Sequence, residues 1–358
     1  MSSRTRPLAA LAAATAAAAM LLGACSATPS GSSSATSSGD AAGGSAITAL
    51  VQQDQKTDID ALTKTLGEPT AVQGKKLCYV TRTLANEFWG YERDGFEGEA
   101  KKLGVEFSTL AVNDESSISE QLDKAQSALN QGCSALLASP ISATALDTVF
   151  ESALSKGIPA IVLNDAKGTV PGVVYVGPDA STIGQTAADY IAQQLPDGGK
   201  VAMIEGDPGS SNAINRGLGF KAGLEKHPNL NLVASQSAKW DTNQAQTIAT
   251  AMLTANPDIK AFYSQNDGMA LGVEAAIAAK GLTGQVLLVG TDGIPQAKKE
   301  IVDGNITATV SERPTTEGAA GVKVALWLLA GKQVPGWVDV PAFVVDKQNV
   351  DQYPTGMP

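Results

Sequence analysis

The segment Ala261-Phe262-Tyr263-Ser264-Gln265-Asn266-Asp267-Gly268-Met269-Ala270-Leu271-Gly272 is an apolar run that stops in polar residues and restarts with helical spacing. It reads as a strand-to-helix junction, where one polar side chain can cap the helix amides while its neighbour reaches into a crevice. The construction recurs along the chain. Asn86 follows an apolar run at 76–80, Asn164 and Asp165 follow one at 160–163, and Asp292 follows one at 286–290. In an open parallel sheet, ligands lie beyond the carboxyl ends of the strands, so polar residues repeatedly set there can converge on one crevice.

The pattern between the junctions supports that architecture. Strands are expected at 76–80, 105–110, 135–138, 160–163 and 173–176, separated by helical patterns at 88–102, 118–131 and 144–156. A second series follows, with strands at 200–204, 230–234, 261–263, 286–290 and 307–310 and helices at 182–194, 212–226, 242–255, 269–280 and 295–302. Short apolar strands separated by helices mean βαβ units, parallel sheets and right-handed crossovers. The expected fold class is therefore α/β with two parallel-sheet lobes. A helix at 316–329 and a closing segment at 338–345 remain after both sheets look complete, so the chain is expected to cross back through a multi-strand hinge. The boundaries that follow are 76–178 with 313–338 for the first lobe and 179–312 with 339–358 for the second.

What precedes the lobes is not fold. Arg4 and Arg6 lead into an apolar Ala/Leu run that ends in Leu22-Gly23-Ala24-Cys25. A basic start, a short apolar core and small residues before a cut make residues 1–24 a secretory signal, too short to span a membrane comfortably. The Leu-Gly-Ala-Cys ending resembles a bacterial lipobox. That resemblance implies lipid on Cys25, the new first residue, and a protein anchored at the extracytoplasmic face of the cell membrane. Residues 25–47, nearly all Ser, Gly, Ala and Thr, form a flexible tether. Residues 48–75 carry scattered apolar side chains (Leu50, Val51, Ile59, Leu62, Leu66) and are expected to be a short helical extension packed on the first lobe.

Composition narrows the function. The formal charge of −10 and a pI near 4.7 argue against nucleic acid, whose binding needs a basic face. The one histidine, His227, lies where a helix should end, so a histidine-rich metal site is excluded and a Ser/His/Asp triad would need this poorly placed residue. No metal or other cofactor is expected. Cys78 and Cys133 lie on or beside strands that should neighbour each other; they could be a disulfide of an exported protein or two buried free thiols.

Four segments carry a more specific signal: Leu84-Ala85-Asn86-Glu87-Phe88-Trp89, Asn215-Arg216-Gly217-Leu218-Gly219-Phe220, Ser264 to Gly272, and Val289-Gly290-Thr291-Asp292-Gly293. With them the chain, from about residue 76 onward, resembles the ribose-type periplasmic sugar-binding proteins, the type I solute-binding family of ABC importers. The resemblance implies two Rossmann-like lobes joined by three crossovers that close, as a monomer, on a sugar. It also implies an ABC permease with its ATPase as partner. Carried over, Asn86, Phe88 and Trp89 hydrogen-bond and stack on the sugar, Arg216 serves from the second lobe, Trp240 stacks, and Asn266 and Asp292 bind hydroxyls. Asn164 and Asp165 stand where the ribose binder has Asp-Arg, and Glu312 stands where the family has glutamine.

The residue types suit a polyhydroxylated ligand on physical grounds. Carboxylates, amides and arginine pair with hydroxyls that both donate and accept, while aromatic rings cover apolar C–H faces. Asp165 in place of arginine and Glu312 in place of glutamine remove donors and add acceptors. An acceptor-rich site favours a ligand whose every oxygen carries a donor, so a four- or five-carbon sugar alcohol is expected ahead of a pentose or hexose. Three other classes compete. A sugar-responsive repressor would need a basic helix-turn-helix where the signal and tether stand. A hydrolase could pair Asp165 with Asp292 or Glu312. A receptor that reports its occupied state to a membrane signalling partner has the same sequence features as an importer's binding protein.

Overall fold

The computed structural model describes residues 46–165 and 169–353. The expected signal, the Cys25 anchor and the tether up to residue 45 lie outside them. The strands are β1 (Val51–Asp58), β2 (Lys76–Thr81), β3 (Glu106–Ala111), β4 (Ala135–Ala138), β5 (Ala160–Leu163), β6 (Val174–Val176), β7 (Gly199–Glu205), β8 (Leu230–Ser237), β9 (Ile259–Ser264), β10 (Leu287–Asp292), β11 (Ala308–Ser311), β12 (Val334–Asp339) and β13 (Phe343–Asp346). Between them run α1 (Ile59–Leu66), α2 (Glu87–Leu103), α3 (Ile118–Asn130), α4 (Asp147–Ser155), α5 (Ala180–Gln194), α6 (Ser211–Glu225), α7 (Thr242–Ala255), α8 (Asp267–Ala279), α9 (Pro295–Asp303) and α10 (Pro314–Leu329).

Two sheets result. The first has the order β1-β12-β6-β5-β4-β2-β3, with every pairing parallel. The second has the order β13-β11-β10-β9-β7-β8, parallel except where β13 pairs antiparallel with β11. Central strands such as β4 and β5 are buried throughout, as parallel strands covered on both faces must be. The chain passes between the sheets after β6, after β11 and after β12, which makes three crossovers. Trp337 Nε1 donates to Gly177 O at 2.9 Å and so ties two of these passages together. Trp327 is buried in the first lobe's core and donates to Gly67 O at 3.1 Å.

One expectation is corrected. The segment 48–75 is helical only in part: it begins as strand β1 at the edge of the first sheet, paired parallel with β12 from Val51 opposite Val334 to Asp58 opposite Asp339, with a register shift between Gln52 and Lys56. The backbone ladder offered by β12 outweighs the weak helical spacing of Val-Gln-Gln-Asp-Gln-Lys-Thr-Asp. Helix α1 starts only at Ile59, where the Asp58 side chain accepts from the amides of Asp60 and Ala61 and buries Ile59 and Leu62. Cys78 and Cys133 are joined in a disulfide, with Cα atoms 5.8 Å apart, because β2 and β4 are paired neighbours.

Candidate functional site

The carboxyl ends of both sets of strands face a common cleft lined by Arg82, Asn86, Phe88, Trp89 and Glu115 from the first lobe and Asn212, Arg216, Trp240, Asn266 and Asp292 from the second. Local structure explains the convergence. Asn86 caps α2 by accepting from Phe88 N at 3.1 Å, and Asn266 caps α8 by accepting from Met269 N at 2.8 Å, so each is fixed at a strand-to-helix turn. Asp267 stays inside: its carboxylate accepts from Gly293 N at 2.7 Å, Ile294 N at 3.0 Å and Thr309 Oγ1 at 2.9 Å, and so pins the turn after Asp292.

Backbone strain concentrates at this edge. Among the described residues, the non-glycine positions with positive φ are Asn164 (45°), Asp165 (69°), Lys239 (52°), Trp240 (65°), Asp292 (113°) and Arg313 (68°). Each follows or ends a strand at the cleft or a crossover. Left-handed backbone costs an ordinary residue of order 1 kcal/mol or more, so surrounding structure must hold these side chains where they are.

The two walls are built alike. On the first, the Arg82 guanidinium lies 4.8 Å from the Trp89 ring centroid, donates from Nη1 to Asp165 Oδ2 at 2.5 Å and from Nε to Glu115 Oε2 at 2.8 Å. On the second, the Arg216 guanidinium lies 5.9 Å from the Trp240 ring centroid, donates from Nη2 to Glu312, and has Asp292 Oδ1 3.7 Å from its Nη1. Each arginine thus has one carboxylate behind it, fully buried, and one beside the cleft. Burial works against the Arg216 charge, but Glu312 and Asp292 more than offset it and its pKa rises. Burial also pushes the Asp165 and Asp292 carboxyls up, against the pull of their guanidinium partners.

Of the expected site residues, Asn86, Phe88, Trp89, Arg216, Trp240, Asn266 and Asp292 line the cleft, whereas Asn164, Asp165 and Glu312 stand one layer back. Asn164 bridges the crossovers, donating from Nδ2 to Glu312 Oε2 at 3.1 Å and to Glu317 Oε2 at 2.9 Å while accepting from Asn212 Nδ2 at 2.6 Å. Asp165 also accepts from Asn212 N at 2.9 Å. The expectation that Asp165 and Glu312 add acceptors for a ligand is therefore corrected, since their oxygens are already engaged by Arg82, Arg216, Asn164 and Asn212. The guanidinium absent at position 165 is supplied instead by Arg82 at the end of β2. Sequence reasoning missed Arg82, Glu115 and Asn212: Arg82 directly follows β2, Glu115 lies in the loop between β3 and α3, and Asn212 stands in the first turn of α6.

A cleft at the strand ends of two parallel-sheet lobes, walled by stacked guanidinium and indole groups, is a solute trap. Residues 77–333 match the model of the family described as periplasmic binding protein domain. The chain belongs to that family. Among periplasmic binding proteins with a described ligand, it is 36% identical to the D-allose-binding periplasmic protein of Escherichia coli K12, covering 74% of this chain and 88% of that one. It is 31% identical to the xylitol-binding protein of Mycolicibacterium smegmatis, covering 80% and 81%. In structure it is similar to a periplasmic solute-binding protein of an ABC transporter from Actinobacillus succinogenes with bound D-allose, at a TM-score of 0.74 and 29% identity, covering 78% of this chain and all of the other.

Proposed function

We propose that this protein is the extracytoplasmic solute-binding component of a carbohydrate ABC importer, taking a small polyol, either a sugar alcohol or a pentose or hexose, into the cleft. The observation that carries this reading is the pair of walls. Each offers a guanidinium, an amide and a carboxylate to hydroxyls and an indole face to C–H groups, the two needs of a carbohydrate. The proteins it resembles bind allose and xylitol, which spans both a sugar and a sugar alcohol. In this reading Asn86, Phe88, Trp89, Arg216, Trp240, Asn266 and Asp292 contact the solute, and Asn164, Asp165 and Glu312 hold the arginines and the crossovers in place.

The protein acts by binding, without turnover. Ligand contacts that exist only when both walls engage stabilise the closed form, which a membrane permease recognises and whose cargo the partner ATPase drives across. The Leu22-Gly23-Ala24-Cys25 motif supports a lipid anchor on Cys25 at the outer face of the cell membrane, with one copy of the chain sufficing for the site.

The test is a thermal-shift screen of the purified protein against sugar alcohols, pentoses, hexoses and amino acids, followed by calorimetry. A solute at a hundred times its Kd should add about 2.7 kcal/mol of stability, a shift of several degrees. Amino acids alone shifting the melting point would overturn the reading.

A further inference from the structure

The two lobes bond to each other directly beside the crossovers. Asn164 and Asp165 follow β5 of the first sheet, whereas Ser210 and Asn212 open α6, which follows β7 of the second. Asn212 N donates to Asp165 Oδ1 at 2.9 Å, Asn212 Nδ2 donates to Asn164 Oδ1 at 2.6 Å, and Ser210 Oγ donates to the same Asp165 oxygen at 3.4 Å. All four residues are buried, none more than 6% exposed. Phe88 and Trp89 at the start of α2 make the same passage between lobes, since they are buried in one apolar cluster with Ile204 and Met269 of the second.

Both partners are held ready for this contact. Asn164 Nδ2 is committed to Glu312 Oε2 and Glu317 Oε2, so its Oδ1 faces Asn212 and also accepts from Asp165 N at 2.6 Å. Turning the amide over would set N–H against N–H on one side and oxygen against carboxyl oxygen on the other, which fixes Asn212 as the donor. Asn164 and Asp165 have φ of 45° and 69°, a conformation that Asn and Asp adopt more readily than other residues with a side chain. Asn212 lies in the first turn of α6, where a backbone N–H has no carbonyl of its own helix to meet and takes Asp165 instead.

These bonds run from protein to protein, so they favour closure whether or not a solute is held. A net hydrogen bond of this kind is worth a factor of about 3–10 in an equilibrium constant, and the two shorter ones act together. We infer that Asn212, with Asn164 and Asp165, is a closure latch: it holds the lobes together in the unliganded chain, and solute enters and leaves only through openings that break these bonds. Asn212 is thus a positioning residue that sets rates as well as affinity. Association is slowed in proportion to the small fraction of open molecules, and dissociation by the need to reopen. This deepens the carbohydrate reading above, on which only its kinetic part rests.

The first measurement is small-angle X-ray scattering of the purified protein, without solute and with saturating D-allose or xylitol. Wild type should give the same radius of gyration in both conditions. Asn212→Asp puts an oxygen where the amide donor stood, against Asn164 Oδ1, while an acidic residue in the first turn suits the helix dipole and keeps α6 intact. That variant should be larger without solute and contract when solute is added. Asn212→Ala, which loses only the side-chain bond, should lie between the two, and Asn215→Asp, exposed on α6, adds the same charge away from the latch and should match wild type. Stopped-flow tryptophan fluorescence, read from Trp89 and Trp240, is the second measurement. In Asn212→Asp the association and dissociation rate constants should both rise, each by about threefold or more, whereas loss of a mere solute contact raises dissociation alone. A wild type that contracts on adding solute, an Asn212→Asp of wild-type size without solute, or an unchanged association rate in that variant overturns the inference and leaves the carbohydrate reading intact. Silence of D-allose, xylitol and every other carbohydrate in the screen overturns the carbohydrate reading, and the scattering of the two proteins without solute still decides the latch.

Discussion

Arg82 at the end of β2 reaches Asp165 after β5 with Nη1 2.5 Å from Oδ2, and both side chains are almost completely buried. The pair bridges the ends of β2 and β5, across the intervening β4, and holds the guanidinium against the Trp89 ring at the cleft. Removing one member of a buried pair leaves the other uncompensated, at a cost of about 3–5 kcal/mol. Arg82 keeps Glu115 as a second partner, so Asp165→Ala should fall at the lower end, about 3 kcal/mol, and should weaken solute binding although Asp165 does not line the cleft. Urea denaturation and calorimetry of the same variant check both parts. Asp165→Ala binding as tightly as wild type would mean that Arg82 needs no backing.

Glu92 on α2 and Glu317 on α10 are both wholly buried in the first lobe, and one oxygen of each, Glu92 Oε1 and Glu317 Oε1, has no hydrogen-bond partner among the described residues. Around them stand Tyr79, which donates to Glu92, Ser139 at 2.6 Å from Glu92, and Asn164 at 2.9 Å from Glu317, with Glu312 and Arg216 beyond. Burial of two carboxyls so placed favours their neutral, protonated forms. Burial raises Glu92 from an ordinary 4.5 to about 7, and burial, then the Glu92 charge, raises Glu317 further. The native state therefore binds more protons than the unfolded chain between pH 4.5 and about 7, and stability falls as pH rises through that window. A shift of this size corresponds to about 3 kcal/mol. The melting temperature should be several degrees higher at pH 5 than at pH 8, and Glu92→Gln should flatten the dependence. A melting temperature that climbs from pH 5 to 8, or a Glu92→Gln profile identical to wild type, would contradict a raised Glu92 carboxyl.

The helix pair α2 and α10 that carries these two acids crosses at glycine. A Cβ on Gly95 would overlap the carbonyl oxygen of Thr315, and one on Gly318 would overlap that of Glu92, with backbone on both sides and nothing flexible to give way. One turn along α2, Gly98 is exposed with open space around its Cα. Gly95→Ala should destabilise by about 1–3 kcal/mol through overpacking, whereas Gly98→Ala should stabilise by up to about 1 kcal/mol through helix propensity. Equal effects of the two substitutions in thermal unfolding would show that the close approach is not maintained in solution.

How far the sequence carried these features follows from the range of the interactions. The β2-to-β11 series and its helices were legible because apolar runs such as 160–163 and caps such as Asn86 and Asn266 encode them within a few residues. Strand β1 was not, because its partner β12 lies far along the chain and no local period announces a parallel edge pairing. Arg82, Glu115 and Asn212 escaped for a related reason. Arg82 follows β2 within Thr81-Arg82-Thr83, and Glu115 lies in the loop between β3 and α3, where an acidic residue looks merely solvated. The roles of Arg82 and Glu115 exist only through each other, Trp89 and Asp165, and that of Asn212 through Asn164 and Asp165. Asp165 and Glu312, conversely, were legible as site residues yet misassigned as ligand acceptors, since sequence does not reveal which oxygens another side chain already engages.

The disulfide between Cys78 on β2 and Cys133 just before β4 closes a loop across 55 positions in sequence. Both cysteines are almost wholly buried, packed among Leu129, Leu136 and Val149 in the cluster beneath α3 and α4. A cross-link over a loop of that length restricts the unfolded chain and should stabilise the protein by about 4 kcal/mol in the chain-entropy account. The cluster itself supplies packing whether or not the bond is present, so the folded lobe should survive its loss at moderate temperature. Replacing both residues, as Cys78→Ala with Cys133→Ala, should lower the melting temperature by about 6 °C while leaving solute affinity within twofold, because neither residue lines the cleft. Thiol titration of the unfolded wild-type protein provides the companion measurement. Two reactive thiols from these positions before reduction, together with an unchanged melting temperature in the double variant, would show that the pair works as two small apolar side chains.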